Sequence, residues 1–234
     1  MKHLVNEGAD IDWKGHSGRT AFYYACEHGH LETAKFLVEE GADLNSEIRG
    51  EDKIYDGTTP IFVASMFGHV DVAKWFVEEK HVNVNSGSSG DGRTPLYAAA
   101  GQGRLAVVRY LLEEGTADVN KPDNDGGEGG RGAKRRADNF SVRNEGLTFS
   151  RSTSLIAETP LFRACMESHF QVVKCLLSKV DVDKAGFNGV TPLYISSGHG
   201  HLDIVKLLAE EGNADVDKGL TDGATPFFLA CQQG

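Results

Sequence analysis

Histidine is the first residue type to test for chemistry here, because it serves as general base, metal ligand and proton carrier near neutral pH. The sequence has nine histidines among 234 residues. Four of them, His30, His69, His169 and His201, follow a glycine or a serine at the same place between two helical segments. Such repetition predicts hydrogen bonds within a scaffold. Because no Ser-His-Asp set, HExxH motif or zinc-finger spacing is found, we predict no enzyme, no catalytic residue and no metal site.

The four cysteines are the next candidates for nucleophilic or redox chemistry. Cys26, Cys165 and Cys231 each follow an alanine in a recurring helical pattern whose other copies carry Ala or Ser there. A position that accepts these three residue types predicts a small buried packing site. Cys175 lies in a different helical segment. With no CxxC motif and no secretory signal, we expect reduced, structural cysteines.

Three glycines have a spacing that nucleotide-binding loops use. Gly127, Gly129 and Gly132 spell G-x-G-x-x-G, but no hydrophobic strand precedes them and no helix with an apolar stripe follows. A P-loop fails as well, because Lys134 falls one residue late and Arg135 stands where Ser or Thr would bind magnesium. The sequence therefore predicts no nucleotide and no other cofactor.

One stretch, residues 91–120, shows which elements position these residues. Thr94 can cap a helix with its hydroxyl, and Pro95 suits the first helical position. This first helix carries small apolar residues and ends at a pair of glycines. A second helix follows, with an apolar stripe formed by Leu105, Val108, Leu111 and Leu112. Two such helices cannot bury their apolar faces alone, so the unit needs copies beside it.

The copies are marked by a threonine followed by proline or its equivalent. They stand at Thr20-Ala21, Thr59-Pro60, Thr94-Pro95, Thr159-Pro160, Thr191-Pro192 and Thr225-Pro226. Together with the Gly-His turn, a V-x-L-L-like helix and G-A-D-V-N, this pattern resembles the ankyrin repeat over nearly the whole chain outside one insertion. The resemblance implies an all-α fold, an ankyrin-repeat solenoid of paired antiparallel helices with β-hairpin-like loops. About five full repeats are expected, with partial ones at both ends, as in a fragment of a longer polypeptide.

The chain departs from the family at one position of the first helix. Where ankyrin repeats carry the histidine of T-P-L-H, this sequence has an aromatic residue each time: Tyr23, Phe62, Tyr97, Phe162, Tyr194 and Phe228. The family's histidine network therefore cannot be carried over. We expect stacking of ring edges to replace much of it, and the threonines to act as helix caps.

The spacing of the threonines predicts three parts: a repeat block at 1–120, an inserted flexible loop at 121–158, and a second repeat block at 159–234. The middle part lacks Thr-Pro and a second-helix stripe, so an insertion in a hairpin loop is preferred to a decayed repeat. Between residues 131 and 151 it is basic. A solvated loop, a targeting signal and a phosphate or RNA contact all fit that charge. Ser154 is a candidate phosphorylation site.

The net charge of −10 argues against general binding to nucleic acid or to an anionic membrane. Acidic pairs at the ends of second helices predict solvated faces, with an acidic partner-binding ridge as the alternative; they are Glu39-Glu40, Glu78-Glu79, Glu113-Glu114 and Glu210-Glu211. No signal peptide or membrane span is visible, so we expect no membrane insertion. The expected location is intracellular: the cytoplasm, with the nucleus as an alternative.

Ankyrin proteins commonly bind another protein on a concave face built from hairpin tips and first helices. Carried over by repeat position, this implies the contact residues His16, Arg19, His28, Tyr55, Asp56, Met66, Phe67, Asp91, Arg93, Gln102, Phe187, Asn188 and His199. The first hypothesis is a monomeric, non-catalytic protein-interaction module of unknown partner. The alternative is a targeting or regulatory segment of a larger enzyme or channel.

Overall fold

The structure, a computed structural model, describes residues 7–49, 57–123 and 158–233. Within these ranges it has eleven α-helices and no β-strand, which confirms the all-α prediction. In chain order they are α1 (Ala21–Glu27), α2 (Leu31–Glu39), α3 (Pro60–Phe67), α4 (Val70–Glu78), α5 (Pro95–Gly101), α6 (Leu105–Glu113), α7 (Pro160–Met166), α8 (Phe170–Leu177), α9 (Pro192–Gly198), α10 (Leu202–Lys206) and α11 (Pro226–Gln233). A 3₁₀ turn, Phe187–Gly189, precedes α9, and a π-helical turn, Leu207–Glu211, continues α10.

The odd-numbered helices, which we call first helices, all begin after a threonine. In each case the threonine hydroxyl accepts a hydrogen bond from the backbone N–H three residues on, at 3.1–3.4 Å. These threonines are Thr20, Thr59, Thr94, Thr159, Thr191 and Thr225. The hydroxyl satisfies a backbone donor that has no partner inside the helix, so the predicted caps are confirmed.

The even-numbered helices are the second helices of each pair, and a recurring histidine lies at the turn before them. Nε2 of His69 donates to the carbonyl of Glu27 at 2.9 Å. His169 and His201 make the same bond to the first helix of the preceding pair, at 3.2 and 3.1 Å. Gly103 has a positive φ, and a Cβ there would lie 2.7 Å from the ring of His169. The predicted scaffold role is therefore confirmed for His69, His169 and His201.

The apolar stripe predicted for α6 is confirmed at its centre and is wider than expected. Val108 and Leu111 are fully buried, whereas the two flanking leucines of the stripe are half-buried. Val107 and Tyr110 complete the buried face.

The contacts divide the chain into two compact units. Unit 1 comprises Met1–Ala99 with Ala106–Ala117, and unit 2 comprises Ala100–Leu105 with Asp118–Gly234. The division therefore runs through the helix pair formed by α5 and α6. The boundaries predicted at residues 120 and 158 stay a prediction.

The core of unit 1 is built around aromatic rings. Phe22 meets Trp75 and Phe76 edge-on, with ring centroids 6.3 and 6.0 Å apart. The adjacent Tyr23 is also buried, and its hydroxyl is hydrogen-bonded to that of Thr58 at 3.0 Å. A buried tyrosine hydroxyl needs such a partner. At Tyr23 a hydrogen bond thus links successive repeats where the sequence predicts ring stacking.

The core of unit 2 is mainly aliphatic, with buried Val173, Leu176, Ile195 and Leu208. Helix α11 packs on α9 through Leu229, but no second helix lies beside it among the described residues.

All four cysteines are free thiols. Cys26 and Cys165 are buried as expected, whereas Cys175 is half-buried. Cys231 is exposed, so the prediction of a buried packing site is wrong there. The reason is its position on the uncovered face of α11.

The loops between helix pairs are closed by backbone hydrogen bonds. Gly186 N–H donates to the carbonyl of Val190 at 2.9 Å, and Asp123 N–H donates to that of Glu158 at 3.2 Å. Asp123 and Glu158 thus lie side by side, although 34 residues separate them in the sequence. Residues 124–157, Ser154 included, lie outside the described part of the chain.

Candidate functional site

The residues predicted to contact a partner fall into both units. Unit 1 holds His16, Arg19, His28, Met66, Phe67, Asp91 and Arg93, and unit 2 holds Gln102, Asn188 and His199. Tyr55, Asp56 and the side chain of Phe187 lie outside the described part of the chain. Each unit is therefore a candidate surface in its own right.

In unit 1, aromatic side chains point outward from the first helices. Tyr24 is 44% exposed and Phe67 37% exposed, while His28, one turn after Tyr24, is also exposed. The His28 ring lies 6.3 Å from that of Tyr24 and stacks on His30 at 6.0 Å. We call Tyr24, His28 and Phe67 the aromatic ridge of unit 1.

The His28 ring is fixed by a hydrogen bond to its own helix. Its Nδ1 lies 3.0 Å from the carbonyl oxygen of Tyr24, and a carbonyl only accepts, so Nδ1 carries the proton. In the neutral ring Nε2 is then an acceptor. The ridge thus combines aromatic surface with a polar group of defined orientation.

The two arginines predicted as contacts in unit 1, Arg19 and Arg93, are engaged within the protein. The Arg19 side chain is 14% exposed, lies 3.6 Å from the Glu27 carboxylate and stands over the rings of Tyr23 and Tyr24. Arg93 pairs with Asp91 at 3.0 Å and lies over Tyr97. These contacts hold the guanidinium groups in place, so the arginines form a fixed border of the surface.

In unit 2 the predicted residues occupy corresponding positions. Gln102 and His199 are exposed. Nδ1 of His199 donates to the carbonyl of Ile195 at 2.9 Å, and its ring stacks on His201 at 5.6 Å. Asn188 has a left-handed φ of 62° and accepts a short hydrogen bond from the Thr221 hydroxyl.

Sequence reasoning missed Tyr24 and Arg163. Arg163 follows the aromatic of α7 as Tyr24 follows that of α1, and it lies 2.7 Å from Glu167 and 3.7 Å from Glu158. In the sequence, both are large side chains at a first-helix position where α5 carries the small Ala98. Comparing the repeats at that position would have found both.

Among the residues that the structure describes, no group of three or more His, Cys, Asp or Glu side chains could hold a metal ion. Burial raises the pKa of the Cys26 thiol well above its ordinary value, and that of Cys165 to about 12. Both thiols are therefore protonated near neutral pH, and neither is an activated nucleophile.

Comparison with known protein families extends the repeat pattern over most of the chain. The family described as "Ankyrin repeats (3 copies)" matches residues 1–48, 46–123 and 148–219, well over half of the sequence. The chain belongs to the ankyrin repeat family. Its fold class is the all-α ankyrin-repeat solenoid that the sequence predicts.

Three ankyrin relatives illustrate where similar repeats occur. The chain is 39% identical over 46 residues to serine/threonine-protein kinase TNNI3K of Mus musculus, covering 19% of the chain and 6% of the kinase. It is 35% identical over 75 residues to alpha-latrocrustotoxin-Lt1a of Latrodectus tredecimguttatus, covering 31% of the chain and 5% of the toxin. It is 38% identical over 58 residues to ankyrin repeat-containing protein P1E11.10 of Schizosaccharomyces pombe, covering 25% of the chain and 28% of that protein. The matches thus span a small part of each relative.

Ankyrin repeats are generally protein-interaction modules, and such domains are generally non-catalytic. In the described ranges, no helix is long and apolar enough to cross a bilayer. The family and the exposed aromatic ridge thus favour the same class of function, which is binding to another protein.

Proposed function

We propose that this chain is a non-catalytic protein-interaction module, and that its partner lies against the hairpin-loop tips and the exposed sides of the first helices. The observation that carries this proposal is the aromatic ridge of unit 1. Tyr23 and Phe62 already fill the buried aromatic position of their repeats. Tyr24 and Phe67 therefore expose aromatic surface that the core does not use, and interface centres are enriched in such residues.

We propose that Met66 and the Asp91–Arg93 ion pair belong to the same surface as this ridge. Met66 is half-buried beside Phe67, while Asp91 and Arg93 form a fixed ion pair on the loop before α5. An apolar centre with a polar rim is the usual anatomy of a protein interface. We include Tyr55 and Asp56, which precede α3 in the sequence, in the same surface. Gln102, Phe187, Asn188 and His199 are proposed contacts of unit 2.

Affinity capture from a cell lysate tests the ridge directly. The bait is the full chain, compared with a double variant, Tyr24→Ser with Phe67→Ser. We expect a partner that the native chain retains to be lost, because two aromatic contacts at an interface centre typically contribute about 1 kcal/mol or more each. A photo-crosslinking residue in place of His28 should label the same partner.

The matched control is Leu202→Ser with Val216→Ser, which removes two exposed apolar side chains from unit 2. This variant should capture the partner as the native chain does. Circular dichroism must show that all three proteins fold. Equal capture by both double variants would contradict the assignment of the ridge.

A second candidate function comes from the relatives. Similar repeats form small parts of a protein kinase and of a latrotoxin, so we also consider a targeting or regulatory segment of a larger enzyme or channel. Sequencing the full transcript distinguishes the two candidates. A reading frame that extends into a catalytic or channel domain would favour the second.

The chain is further proposed to be a monomer in the cytoplasm, with the nucleus as the alternative location. Its net charge of −10 favours solubility and monomeric behaviour. Light scattering coupled to gel filtration should give the mass of one chain, 25.3 kDa. Microscopy of a fluorescent fusion checks the location.

A further inference from the structure

Unit 2 has an open groove between its second helices, α8 and α10, on helices other than those that carry the surface proposed above. Its volume is about 300 Å³. The residues that line it are Phe170, Asp203, Lys206, Leu207, Glu210 and Glu211. Apolar side chains and carboxylates therefore meet in one depression.

The repeats differ in the size of the side chain at one position of the second helix. Leu207 stands at the repeat position that Tyr110 occupies in α6, and Cys175 stands at the position of Trp75 in α4. In unit 1 both of these large rings are buried, and the Tyr110 hydroxyl reaches the Glu78 carboxylate of α4. In unit 2 the smaller Leu207 is buried to the same extent and lines the groove.

The backbone of α10 departs from a regular α-helix beside the groove. From Leu207 to Glu211 the helix is π-helical, and Gly212 N–H donates to the carbonyl of Leu207 at 3.0 Å. Such turns insert a residue into a helix and are frequent at functional sites. Here the turn carries Glu210 and Glu211, which both line the groove.

The second helices of unit 1 hold lysine side chains over aromatic rings. The Lys74 ammonium lies 5.3 Å from the centre of the Tyr110 ring, and the Tyr110 hydroxyl donates to the Glu78 carboxylate at 3.2 Å. Lys80 lies over the Trp75 ring in the same way, at 5.5 Å. In both cases an ammonium group lies over an aromatic ring within the protein itself.

The groove of unit 2 brings an aromatic side chain and carboxylates together. Phe170 and Leu207 supply apolar surface, and the exposed Asp203 and Glu210 supply carboxylates. Lys206 is the one cation among the six lining residues, and Glu211 already pairs with Lys174 at 3.2 Å. The rim therefore has an excess of negative charge.

We propose that this groove binds an arginine or lysine side chain on a basic segment of a partner protein. The hydrocarbon stem would pack on Phe170 and Leu207, and the charged end would meet Asp203 and Glu210. The volume lies at the lower limit of small-molecule sites, about 300 Å³, which suits one long side chain. The site does not depend on the aromatic ridge, so either proposal can fail alone.

The test uses the full chain labelled with ¹⁵N and a five-residue peptide that has two arginines separated by a leucine. Saturable chemical-shift changes are expected at the backbone amides of α8 and α10. Asp203→Asn with Glu210→Gln should weaken binding at least fivefold. Leu207→Tyr, which fills the groove as Tyr110 does in unit 1, should weaken it similarly.

The matched control is Glu113→Gln with Glu114→Gln, which removes the same charge from an exposed acidic pair of α6. Binding should be unchanged. Equal weakening by both charge variants would show that overall charge suffices, and would overturn the proposal. Equal binding of a peptide with citrulline in place of arginine, or of spermine at the same amides, would overturn it too, as would the absence of saturable shifts.

Discussion

The two units carry the same helix pattern, but their second helices meet in different ways. In unit 1, Trp75 of α4 and Tyr110 of α6 are both buried, and the hydrogen bond from Tyr110 to Glu78 joins the two helices. In unit 2, Cys175 and Leu207 replace the two rings, and an exposed pair between Lys174 and Glu211 spans the helices. The residues that recur in every repeat thus determine where the helices form. The residue at the variable second-helix position determines whether the surface between neighbouring second helices carries a large ring or a groove.

The largest effect is expected when a buried ring of unit 1 is replaced by the smaller side chain that unit 2 carries. Trp75→Cys places in α4 the residue that unit 2 has at that position. Trp75 is buried and contacts Phe22 edge-on, so the loss of its packing should lower the free energy of unfolding by about 3–5 kcal/mol. Urea unfolding followed by circular dichroism measures this without relying on tryptophan fluorescence.

The matched control is the other tryptophan of the chain. Trp13 is 67% exposed, so Trp13→Cys should change the free energy of unfolding by no more than about 0.5 kcal/mol. If the two variants were equally stable, Trp75 would not be what closes the surface of unit 1.

A smaller effect is expected when only the hydrogen bond across α4 and α6 is removed. Tyr110→Phe keeps the ring but deletes the hydroxyl that donates to Glu78. We expect a loss of about 1–2 kcal/mol in the free energy of unfolding near neutral pH, because the acceptor is charged. Tyr24→Phe, which alters an exposed tyrosine, is the control and should leave stability unchanged.

The same variant gives a pH signature. Burial, the hydrogen bond to Glu78 and its charge raise the pKa of Tyr110 to about 12, above the ordinary value of about 10 in the unfolded chain. The folded state therefore favours the protonated phenol. The stability that it contributes is complete below pH of about 10 and is lost as pH rises toward 12.

Urea unfolding of native protein and Tyr110→Phe at several alkaline pH values isolates this contribution. Burial also raises the pKa of Tyr194, but that residue is present in both proteins, so its effect cancels. The difference in unfolding free energy should shrink as pH rises from about 10. A constant difference would show that the raised pKa does not contribute to stability.

Local features of the fold were predictable from the sequence. A threonine cap depends on residues within one helical turn, so all six first-helix starts follow from the Thr-Pro pattern. Burial of a particular side chain depends on what packs over it, and Cys231 shows this. Its repeat position is a buried one elsewhere, but in α11 it is exposed.

The candidate site was less predictable, because exposure and pairing depend on distant residues. Repeat position placed Phe67 and His28 on the surface, and both are exposed. It also placed Arg19 there, where an ion pair and two tyrosine rings hold it. The repeat pattern gave no sign of the π-helical turn after α10, although a backbone hydrogen bond of the same span, from Gly115 to Tyr110, closes α6.

The last test gives unit 2 the hydrogen bond that joins the second helices of unit 1. Leu207→Tyr combined with Ser178→Glu gives unit 2 the residues that correspond to Tyr110 and Glu78 in unit 1. The new hydroxyl can donate to the new carboxylate, so we expect a favourable coupling of about 0.5–1 kcal/mol between the two substitutions. Unfolding free energies of the native protein, both single variants and the double variant measure that coupling. Additive effects would mean that the π-helical turn holds α10 in a different orientation, so that side chains alone do not explain the groove.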